Sequence, residues 1–475
     1  MLALLLALLP AAIPAPQETP AAEGASSDPL RTVAGYAAKV AASALFVGGR
    51  DLESVRAGEL FPVRPLERMA LPMIELSVDT EARTVTASLP SGQTATAVHR
   101  AGLGCALAIG ATPDAIRAQA AAAAEAAGTT ATPAIDLEPL AADVPVDRDA
   151  IEAAMERAFA DGRRDAFVPT RAVVILHRGR LVAERYADGF DAASRHAGWS
   201  MAKTITGALI LIRAATGDLD LEAPAPVAEW ASPEDPRRAI TPLDLLRMSS
   251  GLAFAENYAD LTSDATTMLF ASGDVGRAGR ESALVHPPGT RWSYSSGTSN
   301  LLQSILKGTF DTEAEYHAFP RAALFGPAGL RSAVLEADAS GTFVGSSFCW
   351  MTGREWARFG QLLLDDGVVH PPGEEPRRVL PEGAVARMSA PAPASRARRH
   401  GAHLWLNLGY EDDPRRREFP TLPTDLVYLS GYEGQYVLVV PSREVVVARL
   451  GVSKSSPHES VEGLVRAVLD ALPPD

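Results

Sequence analysis

Two segments rich in β-branched and other apolar residues lie on either side of a long, mostly helical stretch of this chain. The first segment, residues 171–190, has two apolar runs around residues 178–180 and predicts a β-hairpin. The second, residues 425–451, predicts two strands joined at residues 441–443. Strands at both ends with helices between them favour one antiparallel sheet flanked by helices, with an all-helical lobe. The predicted fold class is therefore α/β, an α+β sandwich.

Helical spacing of apolar residues fills much of the interval between these strands and recurs after the second segment. The segment at 201–217 is apolar on nearly every face, which predicts a helix buried on most sides. Some helix starts carry a capping residue, such as Thr241, and several helices end at a glycine. The predicted helices cover residues 147–160, 201–217, 241–252, 298–309, 352–367 and 460–472.

The N-terminal part of the chain has a pattern of its own. It predicts a small α+β appendage over residues 30–140, in front of a larger domain over residues 145–475. No motif in the appendage indicates a function. Its predicted elements are a helix at 31–48, strands at 73–78, 83–89 and 93–99 or beyond, and an alanine-rich helix or linker at 112–128 that ends at Gly128.

The first residues, MLALLLALLPAAIPAPQ, form a short apolar run that soon meets proline and small residues. This pattern predicts a signal peptide at residues 1–16 with cleavage near Ala15, and hence an exported protein, periplasmic or secreted. The basic residues that usually precede such a run are missing, so an apolar end without a targeting role is the alternative. No later segment has 18 consecutive apolar residues, so no membrane span is expected in the mature form.

The net charge of the chain and its histidine and cysteine content argue against several classes of function. The net charge of −14 gives a surface that repels phosphates, so a nucleic-acid partner is not expected. The nine histidines form no metal-binding motif, and no metal or other cofactor is expected. Two cysteines, Cys105 and Cys349, are too few for a disulfide framework or a structural zinc site. They are expected to be buried small side chains, with a bridge between them as an alternative.

The motif with the clearest chemistry is Ser200-Met201-Ala202-Lys203, in a chain with four lysines against forty arginines. Residues three apart on a helix share a face, so the Ser200 hydroxyl and the Lys203 amine are within hydrogen-bonding reach. A serine hydroxyl becomes nucleophilic when a base takes its proton, and burial lowers the pKa of a lysine towards that role. An ordinary helix pair is the alternative interpretation.

A second copy of the same spacing, Ser304 with Lys307, serves as an internal control. Ser304 lies inside a predicted helix, where its hydroxyl is expected to bond to a carbonyl of the preceding turn. Lys307 precedes Gly308 at a helix C-terminus, where a cation is favourable. This copy therefore has a complete structural explanation, whereas Lys203 enters an apolar helix in which an unpaired ammonium is costly.

Two downstream features fit the same chemistry. Tyr294 follows a Pro-Gly turn and is flanked by small hydroxyl residues, so it is expected to face a cleft, with a pKa lowered by a nearby lysine. Gly431 and Gly434 interrupt a strand, which indicates that a ligand or another backbone approaches closely. A tyrosine packing a loop and a β-bulge are the respective alternatives.

In this order, the motifs resemble the serine β-lactamase and penicillin-binding protein superfamily. The resemblance covers roughly residues 145–475 and is closest to class C β-lactamases, related esterases and 6-aminohexanoate-dimer hydrolases. It implies a β-lactamase/transpeptidase-like fold. The pieces that carry the resemblance are GWSMAKTITGAL, TPLDLLRMSSGLAF, HPPGTRWSYSSGTSNLL, TGREWARFGQLLLDDG and GYEGQYVLVVPSREVVVARLG.

The resemblance also implies roles for individual residues. Ser200 would be the acylated nucleophile, Lys203 its base, and Tyr294 a second base and proton shuttle. The backbone N–H groups of Ser200 and of a residue near Gly431, such as Tyr432, would stabilise an oxyanion. Tyr258, in an acidic loop that also contains Glu256, Asp260 and Asp264, lines or covers the cleft, or belongs to a solvated loop.

Departures from the β-lactamase pattern bear on the substrate. The Tyr-x-Asn motif of β-lactamases is Tyr294-Ser295-Ser296 here, so Ser296 replaces an amide. No Lys-Thr-Gly motif is present, and Glu433 would repel a substrate carboxylate if it faced the cleft. These differences favour a serine hydrolase that cleaves a small ester, amide or peptide. A β-lactamase or D-alanyl peptidase, and a non-catalytic binding protein, are the alternatives, and the sequence leaves the oligomeric state open.

Overall fold

The computed structural model describes residues 28–62, 65–127, 136–164 and 169–473. The predicted signal peptide at residues 1–16 and Gly128 lie outside these residues. Within the described N-terminal part, helices and strands are α1 (Pro29–Phe46), α2 (Leu52–Ala57), α3 (Pro65–Ala70), β1 (Glu75–Asp79), β2 (Thr84–Ser88), β3 (Thr94–Arg100), β4 (Gly104–Leu107) and α4 (Pro113–Ala127).

The larger part of the chain contains the remaining elements. Its first half has α5 (Arg148–Arg164), β5 (Thr170–His177), β6 (Arg180–Tyr186), β7 (Arg195–Ala197), α6 (Ala202–Ala215), α7 (Pro242–Leu246), α8 (Asp264–Phe270), α9 (Arg277–Glu281), α10 (Ser296–Lys307) and α11 (Glu313–Phe319). Its second half has β8 (Val334–Leu335), β9 (Cys349–Thr352), α12 (Gly353–Leu364), β10 (Val368–Val369), β11 (Arg377–Arg378), α13 (Ala384–Ser389), β12 (Trp405–Leu406), β13 (Val427–Gly431), β14 (Gln435–Val440), β15 (Val445–Gly451) and α14 (His458–Ala471).

The main sheet is antiparallel and has the strand order β12-β13-β14-β15-β5-β6. Strand β15, near the end of the chain, pairs with β5, so Val447 lies opposite Ile175. The predicted α/β class, with one antiparallel sheet built from both segments, is confirmed. The prediction of two strands in residues 425–451 is wrong, because a turn at Tyr432–Gly434 divides the first of them into β13 and β14.

Side-chain alternation along the strands supplies two separate cores. Val174 and Leu176 face the core shared with α12 and the helical lobe, whereas Val173 and Ile175 face α5 and α14 on the other side. Successive side chains of a strand point to opposite faces, so an all-apolar strand such as β5 is buried on both sides. The sheet therefore lies between two helical layers.

Local signals explain several helix boundaries. Thr241 and Asp244 form a capping box at the start of α7, in which each side chain accepts a hydrogen bond from the other residue's backbone. The helix ends at Leu246, earlier than the predicted residue 252, and Met248 has a φ of 56°. Asp147 accepts a hydrogen bond of 2.9 Å from the backbone of Ala150 at the start of α5. Among the described residues, no helix is both long and apolar enough to cross a bilayer.

The N-terminal unit, residues 28–127, packs tightly against the larger part of the chain. Its four strands form an antiparallel sheet in sequence order, β4 being one strand more than predicted, and α1 packs on this sheet. The other side of α1 contacts α8, and its apolar residues share a core with Phe270, Phe348 and Trp350. Cys105 and Cys349 are buried free thiols.

A buried ion pair connects the two parts. The Lys39 amine on α1 donates to the Glu336 carboxylate at 2.7 Å, and these side chains are 3% and 0% exposed. Ser43, the backbone of Cys105 and the Trp350 indole also donate to Glu336, at 2.6–3.1 Å. Four donors, three side chains and one backbone N–H, therefore converge on one buried carboxylate.

Replacing Lys39 with methionine leaves the Glu336 carboxylate buried without its cation. We expect the free energy of unfolding to fall by about 3–5 kcal/mol, as measured by urea denaturation. A double variant, Lys39→Met with Glu336→Leu, should recover part of this loss because the unpaired charge is removed. A change of less than about 1 kcal/mol in the single variant would show that the pair contributes no more than a surface ion pair.

Candidate active site

Ser200 lies in a single 3-10 turn, Trp199–Met201, immediately before α6. Trp199 has a φ of 47°, a left-handed conformation that is strained for a bulky side chain. Its ring is buried and packs against Phe348 and Tyr432, with ring centroids 5.7 and 5.3 Å away. This packing holds the backbone in place, and Ser200 itself is partly exposed.

Lys203, on the first turn of α6, is 3% exposed and makes three hydrogen bonds. Its Nζ lies 3.1 Å from Ser200 Oγ, 3.0 Å from Ser296 Oγ and 2.9 Å from the carbonyl oxygen of Ser346. Burial lowers the pKa of Lys203 to about 8, and the nearby Glu256 carboxylate opposes that shift. The predicted pairing of Ser200 with a buried Lys203 is present in the structure.

Tyr294 lies just before α10, with its ring centroid 4.8 Å from Lys203 Nζ. The ring stacks on Trp405 at 5.4 Å between centroids. The expectation of a lowered pKa is wrong: burial raises the pKa of Tyr294 and the Glu256 carboxylate adds to the increase, while a hydrogen bond with the Ser200 side chain opposes it. Tyr294 is therefore a neutral phenol beside Ser200.

Ser296 is fully buried at the start of α10 and belongs to the network around Lys203. Its hydroxyl donates to Glu256 Oε1 at 2.6 Å, and its backbone N–H donates to Glu256 Oε2 at 2.7 Å. The same hydroxyl accepts from Lys203. Ser296 thus links a carboxylate to the lysine.

Glu256 has a larger part in this network than the sequence indicated. Its carboxylate accepts hydrogen bonds from Ser296 and from the Tyr258 hydroxyl, the latter at 2.8 Å. The sequence showed it as one acidic residue of a loop, and the short distance to Tyr258 in the chain was the available signal. Asp264 instead accepts a hydrogen bond from the backbone of Ala255, which stabilises the loop.

Tyr258 contacts the site through both its hydroxyl group and its ring. Its hydroxyl lies 3.3 Å from Ser296 Oγ, and its ring stacks on Tyr432 with centroids 5.6 Å apart. Burial and the Glu256 carboxylate raise its pKa well above the usual range of a phenol. The loop that carries Glu256 and Tyr258 therefore contacts both the polar network and the turn after β13.

Gly431 ends β13 directly against the loop that leads to Ser200. A Cβ atom at this position would lie 2.1 Å from the carbonyl oxygen of Gly198, so any larger residue would push the two segments apart. The close approach of another backbone, inferred from the sequence, is present here. It brings Tyr432 beside Trp199.

Glu433 does not face the cleft. It is 6% exposed, adopts a left-handed conformation with φ of 61°, and forms an ion pair with Lys454. Burial nevertheless raises the pKa of Glu433, with Lys454 opposing the shift. The concern that Glu433 repels a substrate carboxylate therefore does not apply to this structure.

The second Ser-x-x-Lys copy has no comparable arrangement. Ser304 accepts a hydrogen bond of 2.8 Å from the Arg280 guanidinium. The sequence predicts instead a bond from its hydroxyl to a carbonyl of the preceding turn. Lys307 points elsewhere and donates to Glu313 and to the carbonyl oxygen of Ser340, both at 2.6 Å. The equal spacing in the chain thus produces two different environments.

A family model described as Beta-lactamase matches residues 150–472. The chain belongs to the beta-lactamase family. No curated protein matches the sequence. The N-terminal unit lies before the residues that the family model matches.

Several solved structures have the same fold at low sequence identity. A Bacillus anthracis protein assigned as a 6-aminohexanoate-dimer hydrolase is 19% identical, with a TM-score of 0.55, over 72% of this chain and 89% of its own. A beta-lactamase assigned in Bacteroides dorei DSM 17855 is 15% identical, with a TM-score of 0.52, over 68% of this chain and 99% of its own. The hydrolase EstCE1, described as having promiscuous acyltransferase activity, is 14% identical with a TM-score of 0.52, over the same shares. At these identities the likeness establishes the fold.

Proposed function

We propose that this protein is a serine hydrolase that cleaves an ester or amide bond through an acyl-enzyme on Ser200. The observation that carries the proposal is the 3.1 Å contact between Ser200 Oγ and the buried amine of Lys203. With a pKa of about 8, Lys203 is neutral in a minor fraction of molecules near neutral pH, and this neutral form is able to accept the serine proton.

The other contacts of Lys203 favour transfer of this particular proton. A neutral amine has two N–H donors and one lone pair. The Ser296 hydroxyl and the Ser346 carbonyl accept the two donors, at 3.0 and 2.9 Å. The lone pair then points towards Ser200, whose hydroxyl donates to it. Attack by Ser200 Oγ on the substrate carbonyl and proton transfer to Lys203 therefore occur in one geometry.

Tyr294 is proposed as the group that protonates the leaving group. Its raised pKa keeps the phenol protonated, so it begins the reaction as a donor, and the proton held by Lys203 replaces the one it gives away. Its ring lies beside both Ser200 and Lys203, which allows this relay. Water then attacks the acyl-enzyme, and the same groups move protons in the reverse direction.

The oxyanion is proposed to bind the backbone N–H groups of Ser200 and Tyr432. The close contact of Gly431 with Gly198 supports this assignment, since it brings the end of β13 to the loop that carries the nucleophile. The left-handed conformation of Trp199, with a φ of 47°, sets the path of the backbone into the turn on which Ser200 lies.

An ester or amide is the proposed substrate class because the motif that binds a β-lactam carboxylate is missing. No Lys-Thr-Gly motif is present, and the acidic residue near that position, Glu433, is paired inside the protein. The structures with similar folds include proteins named as a 6-aminohexanoate-dimer hydrolase and as a hydrolase with promiscuous acyltransferase activity, which is compatible with this class.

The test is a substrate panel combined with active-site labelling. Purified protein is assayed with p-nitrophenyl esters, the 6-aminohexanoate dimer and the β-lactam nitrocefin, and a fluorophosphonate probe is mapped by peptide mass spectrometry. We expect ester or amide turnover and labelling of Ser200. Nitrocefin turnover equal to ester turnover would assign a β-lactamase instead. Ligand binding without acylation would contradict hydrolase function and support a binding protein.

A further inference from the structure

The N-terminal unit contacts the same aromatic cluster that flanks Ser200. Helix α1 and the turn after α3 share their apolar core with Trp199, Phe270 and Phe348. The Tyr36 ring on α1 meets Phe270 edge-on, with centroids 5.1 Å apart. This contact brings a unit that lies outside the family match up to the candidate active site.

A small pocket lies where the two parts meet. The N-terminal unit supplies part of its wall, and the larger part of the chain supplies the rest. The lining residues are mostly apolar or aromatic, with Glu67 as a charged residue among them. They include Val33, Tyr36 and Leu71 from the N-terminal unit, and Trp199, Tyr258 and Tyr432 from the larger part.

Three residues that line this pocket, Trp199, Tyr258 and Tyr432, lie close to the proposed catalytic residues in the chain or in space. Trp199 directly precedes Ser200 in the chain. The Tyr258 hydroxyl lies 3.3 Å from Ser296 Oγ, which in turn lies 3.0 Å from Lys203 Nζ. Tyr432 follows Gly431 and packs against both Trp199 and Tyr258. Residues that line the pocket are thus adjacent to Ser200 in the chain or in contact with the hydrogen-bond network around Lys203.

We propose that this pocket is a substrate subsite for a short alkyl group, and that the N-terminal unit sets its depth. This inference rests on the proposed function of Ser200. Its lining is mostly apolar or aromatic, which favours a hydrocarbon group over a polar one. The cavity measures about 30 Å³, which holds about two water-sized groups, so a short chain fits and a long one does not.

The N-terminal unit also holds the turn that forms one wall. The Lys454 amine pairs with Glu433 and donates to the backbone carbonyl of Glu59 at 3.0 Å. Glu59, which follows α2, accepts hydrogen bonds from Arg171 on β5 at 2.5 and 3.2 Å. The turn that carries Tyr432 is therefore tied to the N-terminal unit, and the depth of the pocket depends on both.

The test measures chain-length preference in two series. In one, the acyl group of p-nitrophenyl esters runs from acetate to octanoate; in the other, alkyl acetates run from ethyl to octyl and are followed by pH-stat. The wild-type kcat/KM should fall steeply beyond about four carbons in one series. In the Leu71→Ala variant, the ratio of kcat/KM for the octanoate ester to kcat/KM for the butyrate ester should rise by about tenfold, or the octyl-to-butyl ratio should do so in the alkyl acetate series. This is the discrimination typical of one or more methylene groups.

A matched control separates pocket shape from general loss of packing. Leu89 belongs to the same core, is 5% exposed against 7% for Leu71, and does not line the pocket. Leu89→Ala should leave the ratio unchanged. Val33→Ile adds one methylene to the wall and should lower the butyrate-to-acetate ratio at least about threefold, even if Leu71→Ala fails to fold.

The outcomes distinguish this inference from the proposed function. Ester turnover with unchanged chain-length ratios in both Val33→Ile and any folded Leu71→Ala would overturn the subsite and leave the serine hydrolase intact. An equal change in Leu89→Ala would also overturn it, because packing rather than pocket shape would then be responsible. Absence of turnover by the wild-type protein in both series would overturn the proposed function, and the subsite with it.

Discussion

Replacement of Ser200 with alanine is expected to reduce kcat/KM for a p-nitrophenyl ester by about 10⁶-fold. The hydroxyl oxygen is the atom that forms the acyl bond, and the residual groups of the site cannot supply a nucleophile in its place. Labelling by a fluorophosphonate probe should be lost in parallel. Both are measured on a variant whose thermal unfolding midpoint is compared with the wild type.

Ser304→Ala is the matched control, because this serine has the same spacing from a lysine. Its hydroxyl accepts a hydrogen bond from Arg280 and lies away from Lys203, so turnover should remain within about twofold of the wild type. Loss of labelling in Ser304→Ala, with labelling retained in Ser200→Ala, would invalidate the assignment of the nucleophile.

Activity is expected to rise with pH through a midpoint near 8. The pKa of Lys203 is lowered to about 8 by burial, so its neutral form, the one able to accept a proton, is the minor form below that pH and the major form above it. A plot of kcat/KM against pH, corrected for spontaneous ester hydrolysis, should therefore show an acidic limb that levels off above pH 8. A flat profile between pH 6 and 9 would contradict Lys203 as the base.

Lys203→Met is expected to lower kcat/KM by about 10²–10⁴-fold, the usual contribution of a general base. Lys203→Arg should be similarly inactive, because a guanidinium stays charged and cannot accept the proton. Lys307→Met, the corresponding change in the second copy, should leave turnover near the wild-type value.

The Glu256 carboxylate raises the pKa of Lys203, so Glu256→Gln should move the acidic limb of the kcat/KM profile to lower pH.

Sequence patterns identified the secondary structure best where the signal is local. The apolar strand β5, the capped start of α7 and the helix α12 all follow from side-chain alternation, capping residues and helical spacing. These signals depend on neighbours within a few positions. The order of the motifs led to the resemblance to a known family, and that resemblance implied a β-lactamase/transpeptidase-like fold.

The break between β13 and β14 shows where local signals are insufficient. Glu433 has a left-handed backbone conformation, and its carboxylate is held by Lys454, which lies 21 positions further along the chain. The stretch therefore has the apolar composition of a strand but contains a turn. The pairing that stabilises this turn forms only after the chain has folded.

The pKa of Tyr294 is a second case. The nearby lysine, visible in the motif order, suggested a lowered value. Burial and the Glu256 carboxylate, 38 positions earlier in the chain, raise it instead. Desolvation depends on everything packed around a group, so its size cannot be obtained from the spacing of two motifs.

By itself, the sequence determined the fold class and the pairing of Ser200 with Lys203, because residues three apart near the start of a helix share one face whatever surrounds them. Only the tertiary structure placed Ser304 against Arg280, joined Glu256 to Ser296, and placed Leu71 of the N-terminal unit at a pocket that Trp199 also lines. These contacts connect residues far apart in the chain. Burial and close packing bring these residues together, and neither can be predicted from a short motif.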